Sequence, residues 1–369
     1  MQPSPQPFRL DVPDVALADL RERLARTRFP DEPPLEPWVT GTSLGYLKEL
    51  LAYWGAGFDW RRHEAKLNSF RQFKAEVGGI ELHFIHEPGR GSNPVPLLLM
   101  HGWPGSVWEF HRLVPLLTER FTVVAPSLPG FTLSFTPGQP RFGTVEMADA
   151  FAALMTLLGY RKFGAQGGDW GASIATRLGY AHAERLIGIH LNLLSVRRDP
   201  NISAKTAEET AYLAQLKNFL HNEMGYQWIQ GTKPQTLAYG LTDSPAGLAA
   251  WIAEKFRSWT DRDSAVSEDD LLANISLYWF TGAIGSSFWP YYARMHQGWP
   301  IPEGKTIDVP MGYADFPKEI LRPPRSLAEK TYTDIRRWSA MKKGGHFAAL
   351  EQPEALASEV KEFFRQLGD

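Results

Sequence analysis

From residue 76 onward the chain alternates short β-rich runs with helical stretches. Three such units follow one another: PLLLMHGWPGS leads into VWEFHRLVPLLTE, FTVVAPSLPGF into VEMADAFAALMTLLG, and RKFGAQGGDWG into ASIATRLGYAHA. Strands separated by a helix cannot close as hairpins, so the pattern demands a parallel sheet with crossover helices on its faces. Ahead of these units, EVGGIELHFIHEP sets Gly78-Gly79 between two alternating runs, the signature of an antiparallel hairpin. The 369 residues would allow two or three domains, but one large α/β sheet with insertions also accommodates them.

The flanking segments read differently. Residues 1–75 are helical and loop-rich, with VALADLRERLART and SLGYLKELLAYWGAGFDW separated by the breaker PDEPPLEP, and are expected to wrap the rest as an N-terminal segment. Residues 76–194 form the first part of the core. Residues 195–300 lose the strand alternation and become Trp- and Tyr-rich helical stretches, expected as a helical cap. Residues 301–369 return to the core with TIDVPMGYADFPKE, TYTDIRRWSAMKKGGHF and the closing amphipathic helix PEALASEVKEFFRQLG.

Composition removes several classes of function. Lys and Arg number 39 against 41 Asp and Glu, a net charge of −2, so overall charge offers nothing to nucleic acid or an anionic membrane and points to a neutral small molecule. The absence of cysteine excludes disulfides, thiolate catalysis and Cys-ligated zinc. His83 and His86, three apart in a strand, face opposite ways, and no tight ligand cluster calls for a metal or other cofactor. MQPSPQPFRLDVPD lacks a basic-then-apolar leader and no apolar run approaches the ~20 residues of a membrane span, so a cytoplasmic location is expected.

Three local motifs carry chemistry. Gly167-Gly168-Asp169-Trp170-Gly171 fits the small-x-nucleophile-x-small pattern of a nucleophile elbow, in which small neighbours allow a tight strand-to-helix turn that exposes the central side chain. That side chain is Asp, ionised at neutral pH and able to displace at a saturated carbon without a base; the alternative is an Asp that only caps the following helix. His101-Gly102-Trp103-Pro104-Gly105-Ser106 ends the strand PLLLM, where the oxyanion loop of an α/β-hydrolase lies, so the N–H groups of Trp103 and Trp170 would form the hole. The isomer of the Trp103-Pro104 bond is open. His346 in GGHF follows the last strand, as the general base of this fold does. Its acid could be Asp308, Asp315, Glu319 or Asp334, which spacing alone does not rank.

With these residues in view, GGDWG, HGWPGS and GGHFAALEQPE together resemble epoxide hydrolases of the microsomal and juvenile-hormone type. The similarity extends to YWGAGFDWRRHEAKLNSFRQF near the N-terminus, with Arg71 where that family carries proline, and to GYQWIQGTKPQT and DSPAGLAAWIAEKFRSW in the cap. The resemblance implies an α/β-hydrolase fold with a mostly parallel central sheet, a helical cap and an N-terminal wrapping segment. It implies conversion of epoxides to vicinal diols through an ester on Asp169, with His346 as base and the Glu of PKEIL, Glu319, as its acid. It also implies ring-opening tyrosines at Tyr226 in MGYQW and Tyr291 in SSFWPYY, with Tyr292 adjacent to the second. The partners expected are a small apolar epoxide and water, with no cofactor, metal, nucleic acid or membrane anchor; a homodimer is compatible with the sequence, which leaves the oligomeric state open.

Two other readings stand beside this one. A haloalkane dehalogenase also pairs an elbow Asp with a His base and a Trp after the nucleophile, so Trp170 does not discriminate; a halide leaves as a stable anion whereas an epoxide oxygen needs an acid, which the tyrosines would supply. A non-catalytic binding protein on the same fold has no use for nucleophile, base, acid and oxyanion loop together.

Overall fold

The computed structural model describes residues 4–264 and 266–368. The β-rich runs meet in one nine-stranded sheet: β1 (Gln6–Phe8), β2 (Gln72–Val77), β3 (Ile80–Glu87), β4 (Val95–Met100), β5 (Phe121–Pro126), β6 (Phe163–Gly167), β7 (Leu186–Leu191), β8 (Met311–Asp315) and β9 (Ile335–Ala340), in the order β1-β2-β3-β5-β4-β6-β7-β8-β9. From β5 to β9 all pairs are parallel; β1, β2 and β3 join antiparallel at one side. This is the α/β-hydrolase fold. The central strands are buried on both faces, which is why Leu97–Met100 and Val123–Ala125 read as continuous apolar runs rather than alternating ones. Truncating Leu98 to Ala in such a layer would cost about 2–5 kcal/mol.

The Gly78-Gly79 hairpin forms as the sequence predicts, with positive φ at both residues (62° and 82°), the conformation that a two-residue turn matching strand twist requires. Two elements differ from the sequence reading. Within the N-terminal segment Gln6–Phe8 is a strand, too short to show period-two alternation, that pairs with β2. The stretch VWEFHRLVPLLTE is not one helix but a 3₁₀ turn, Val107–Phe110, and a short helix, Leu113–Leu117. Pro115 explains the break: without an N–H it cannot continue a helix begun at Val107, but it is tolerated in the first turn of a new one.

Six cap helices, Ala207–Asn222, Gly225–Thr232, Pro234–Asp243, Pro245–Trp259, Glu268–Thr281 and Trp289–Gln297, lie between β7 and β8. The N-terminal segment straps onto them through long-range bonds: Thr42 Oγ1 donates to Ala250 O (2.7 Å), Tyr53 Oη to Asp269 Oδ1 (2.7 Å) and Trp54 Nε1 to Ser276 Oγ (3.0 Å). No helix among the described residues is long and apolar enough to cross a membrane.

Candidate active site

The strand order reverses at β4, whose neighbours β5 and β6 lie on opposite sides, and Met100 at the end of β4 pairs with Gly167 at the end of β6. Such a switch point opens a crevice at the carboxyl ends of the strands, and the two Gly-rich loops emerge there together. Asp169 begins the helix Asp169–Ala181 with φ of 48°, a left-handed conformation rare for a non-glycine residue. The turn closes only because its flanks are bare: a Cβ at Gly171 would overlap the carbonyls of Met100 and His101, and one at Gly167 the backbone of Gly171. The Asp169 carboxylate does not cap its helix. Its Oδ1 accepts from Trp103 N at 2.8 Å, and the Trp170 N–H also faces the carboxylate.

The HGWPGS loop is immobilised from above by the cap. From the helix Glu268–Thr281, Asn274 Nδ2 donates to Pro104 O (2.8 Å) and Tyr278 Oη to Gly105 O (2.6 Å), while Asn274 Oδ1 accepts from Ser106 Oγ of the loop (2.7 Å). The Trp103-Pro104 peptide is cis. His101 serves this architecture: its Nε2 accepts from Leu128 N at 3.1 Å and its Nδ1 faces Gly102 O at 2.9 Å.

His346 lies on the far side of Asp169. Its Nδ1 is 2.7 Å from Glu319 Oε1 and its Nε2 3.6 Å from Asp169 Oδ2. The other acids are committed elsewhere: Asp315 binds Arg322 through both oxygens (2.7 and 2.8 Å), Asp334 pairs with Arg336, and Asp308 is exposed. The cap also holds the His346 loop, since His346 N donates to Trp259 O (2.9 Å) and Gly344 N to Asp261 Oδ2 (2.9 Å). Beneath it the buried Glu351 accepts from the N–H groups of Asp261, Gly345 and Phe347 at 2.7–2.9 Å.

Two cavities meet at Asp169. The larger, about 510 Å³, is walled by Tyr226 and Tyr291 opposite Asp169 and by apolar groups such as Leu193, Phe219 and Ile320. The two tyrosine rings lie 5.7 Å apart, centre to centre; Tyr226 stacks on Trp103 (5.4 Å) and Tyr291 stands edge-on to Trp170 (4.7 Å). The Tyr291 hydroxyl is buried and faced only by the Trp170 indole and the Tyr226 hydroxyl, whereas that of Tyr226 also accepts from Gln227 Nε2 at 2.8 Å. Tyr292 points elsewhere, stacking between Trp289 and His296 on a neighbouring groove. The smaller cavity, about 20 Å³, has room for one water and is lined by Glu109, Gln166, Asp169, Asn192 and His346.

Glu109 and Glu351 are buried carboxyls that motif reading overlooked. The signal for Glu109 was present in Gly105, because a Cβ there would occupy the space of the Glu109 carboxyl. Lys255 was missed as well: it is buried, pairs with Glu254, and sets its ammonium 4.6 Å above the Tyr226 ring.

Burial raises the Asp169 carboxyl above its ordinary value, opposed by the His346 charge and the Trp103 and Trp170 N–H groups. Burial alone would depress His346, but the charge and hydrogen bond of Glu319, with Asp169 and Glu109 behind, outweigh it and push the imidazole up to about 9. Burial lifts Glu109 to about 8. Both phenols are raised, chiefly by burial, and so stay protonated. The arrangement combines an ionisable carboxylate in a two-donor cradle, a histidine–carboxylate pair behind it and two phenols in front.

The family model for the epoxide hydrolase N terminus matches residues 5–110, and that for the alpha/beta hydrolase fold residues 95–222. A putative epoxide hydrolase of Stigmatella aurantiaca is 43% identical, over 98% of this chain and 85% of that protein. Epoxide hydrolase 1 of Oryctolagus cuniculus is 37% identical over 97% of this chain and 88% of its own length. The crystal structure of juvenile hormone epoxide hydrolase from Bombyx mori superimposes with a TM-score of 0.89 at 31% identity, covering 100% of this chain and 96% of that one.

Proposed function

The chain belongs to the epoxide hydrolase family, and on that premise we propose that it opens an epoxide by attack of Asp169 and releases the diol with water activated by His346. Asp169 Oδ1 is engaged by the Trp103 N–H, which leaves Oδ2 as the attacking oxygen. Oδ2 displaces the epoxide oxygen from carbon, forming an ester; Tyr226 and Tyr291 hydrogen-bond the departing alkoxide and one of them protonates it. Phenols held above their usual range remain proton donors at neutral pH, which suits them to this task.

Ester formation cancels the Asp169 charge, one of the charges that hold His346 protonated. The imidazole then gives up its proton more readily, which by way of solvent replaces the one the phenol lost to the alkoxide, and becomes a base. A water in the small cavity passes its proton to Nε2, and the hydroxide attacks the Asp169 carboxyl carbon. Negative charge gathers on Oδ1, where the Trp103 and Trp170 N–H groups stabilise it. Collapse expels the diol oxygen, which takes the proton back from His346, and leaves a solvent oxygen in Asp169. Glu319 holds the ring tautomer and stabilises the imidazolium.

The observation that carries this reading is the Tyr226–Tyr291 pair facing Asp169 across the cavity, which supplies the acid an epoxide oxygen needs. One observation favours halide chemistry: the indole N–H of Trp103 is buried without an acceptor, and that of Trp170 has only the Tyr291 hydroxyl before it. Diol formation from terminal, disubstituted and styrene-type epoxides, assayed beside halide release from matched haloalkanes, separates the two. Diol without halide is the expected result. A homodimer in the cytoplasm completes the proposal, checked by light scattering and fractionation.

A further inference from the structure

One wall of the large cavity is strongly cationic. Arg197, Arg198 and Arg294 line it together with Asp169 and the tyrosines. The Arg294 guanidinium lies 3.3 Å above the centre of the Trp299 ring; that of Arg197 is 5.7 Å from the same ring, and that of Arg198 is 5.5 Å above Phe219. Among the described residues none of the three has an ion-pair partner. Arg197 donates one long hydrogen bond, to Ile301 O at 3.2 Å. Arg294 Nη1 is buried with no acceptor at all. Besides Asp169, the carboxylate lining this cavity is Asp199, which is exposed and accepts from Asn201 N at 2.8 Å.

Arg294 is half-buried with its Nη1 out of water and unmet, which is costly, and the half-buried Arg198 and exposed Arg197 beside it add repulsion. That cost is offset when an anion enters, and a carboxylate matches the planar donor fork best. Leu193, Met224, Phe219 and Ile320 line the same space, so the ligand is apolar along part of its length.

We infer that Arg197, Arg198 and Arg294 form an anion subsite, and that the substrate is an amphiphilic epoxide bearing a carboxylate that docks there while the epoxide meets Asp169. The inference rests on the epoxide-opening reading of Asp169 for its substrate but not for its anion. Net charge conceals such a site, because it averages three clustered arginines over the whole surface.

The test pairs binding with turnover. Decanoate, which carries no epoxide, is titrated against tryptophan fluorescence, with methyl decanoate as its uncharged control. Decanoate is expected to bind about ten- to a hundredfold more tightly, the worth of one charge-assisted contact, with an advantage that shrinks in high salt and in Arg294→Met and Arg198→Met. The epoxide of ω-undecenoic acid should show a higher kcat/KM than its methyl ester by a similar factor. Equal, salt-insensitive binding of decanoate and its ester overturns the subsite even if no variant folds. Preferential decanoate binding with no diol from either epoxide leaves the subsite standing and removes the epoxide-opening reading instead.

Discussion

His346 Nε2 stands 3.6 Å from Asp169 Oδ2, too far for a strong hydrogen bond, while its Nδ1 is held at 2.7 Å by Glu319. The ring is thus tethered on the side away from the nucleophile and left with a nitrogen facing it across a gap. That geometry suits a base that acts after Asp169 has reacted, and it separates the two half-reactions by residue.

His346→Gln should therefore still alkylate and then stall. Ester hydrolysis should slow by about a hundred- to ten-thousandfold, and intact-protein mass spectrometry should find the chain heavier by the mass of the epoxide. Normal turnover with no adduct would remove His346 from the mechanism.

Glu319→Gln should lower turnover by about a hundred- to ten-thousandfold, as loss of the charge behind a catalytic imidazole does. Asp315→Asn should leave turnover nearly intact and cost about 0–1 kcal/mol of stability through its partly exposed pair with Arg322. Steady-state kinetics beside thermal melts give both numbers, and a reversed order would transfer the acid role to Asp315.

Tyr226→Phe and Tyr291→Phe should each slow alkylation, by about a hundredfold if each supplies one donor to the alkoxide, and together should nearly abolish it. Tyr292→Phe should leave it unchanged, because that ring packs between Trp289 and His296. Rapid-mixing fluorescence reads the alkylation step, and damage confined to Tyr292→Phe would contradict the assignment.

The pH dependence of hydrolysis follows from the charges around His346. The imidazole stands at about 9 in the free protein, protonated at neutral pH, because Glu319, Asp169 and Glu109 raise it. The ester removes the Asp169 charge, so the hydrolytic rate should rise with pH through a midpoint below that value. Glu109, itself lifted to about 8 by burial, is largely neutral at that midpoint, so Glu109→Gln should leave the midpoint nearly in place while disturbing the water site and slowing hydrolysis. Quench-flow across pH tests this; hydrolysis as fast in Glu109→Gln as in the unsubstituted protein would exclude the small cavity from the reaction.

In a single turnover in heavy-oxygen water, the first diol should carry no label and the elbow peptide should carry it in Asp169. In the proposed mechanism the oxygen joined to substrate carbon comes from Asp169, and water attacks only the carboxyl carbon. Full label in the first diol would make Asp169 a base that activates water directly.

The site was legible where function leaves a local mark. A strained turn needs Gly167 and Gly171, so the elbow shows in five consecutive residues, and the oxyanion loop and the GGHF loop betray themselves in the same way. Glu319 was different. Four acids precede His346 and no spacing rule ranks them; resemblance pointed to one, and the folded chain sets that one against the ring while Arg322 and Arg336 take two of the others. Tyr291 and Tyr292 differ by one step along a helix, about a hundred degrees of rotation, so only packing against Trp170 decides which faces the cavity.

By itself the sequence determined the parallel strands, the hairpin at Gly78-Gly79 and the tight turn that presents Asp169, because periodicity and turn geometry act between neighbours in the chain. It could not determine what comes together from a distance. Asn274 and Tyr278 gripping the Trp103 loop, Asp261 and Trp259 holding the loop of His346, and three arginines converging on one cavity wall join residues far apart in the chain. Burial and charge at those positions exist only once the cap closes over the sheet, so the protonation of His346 and the place offered to an anion are properties of the tertiary structure.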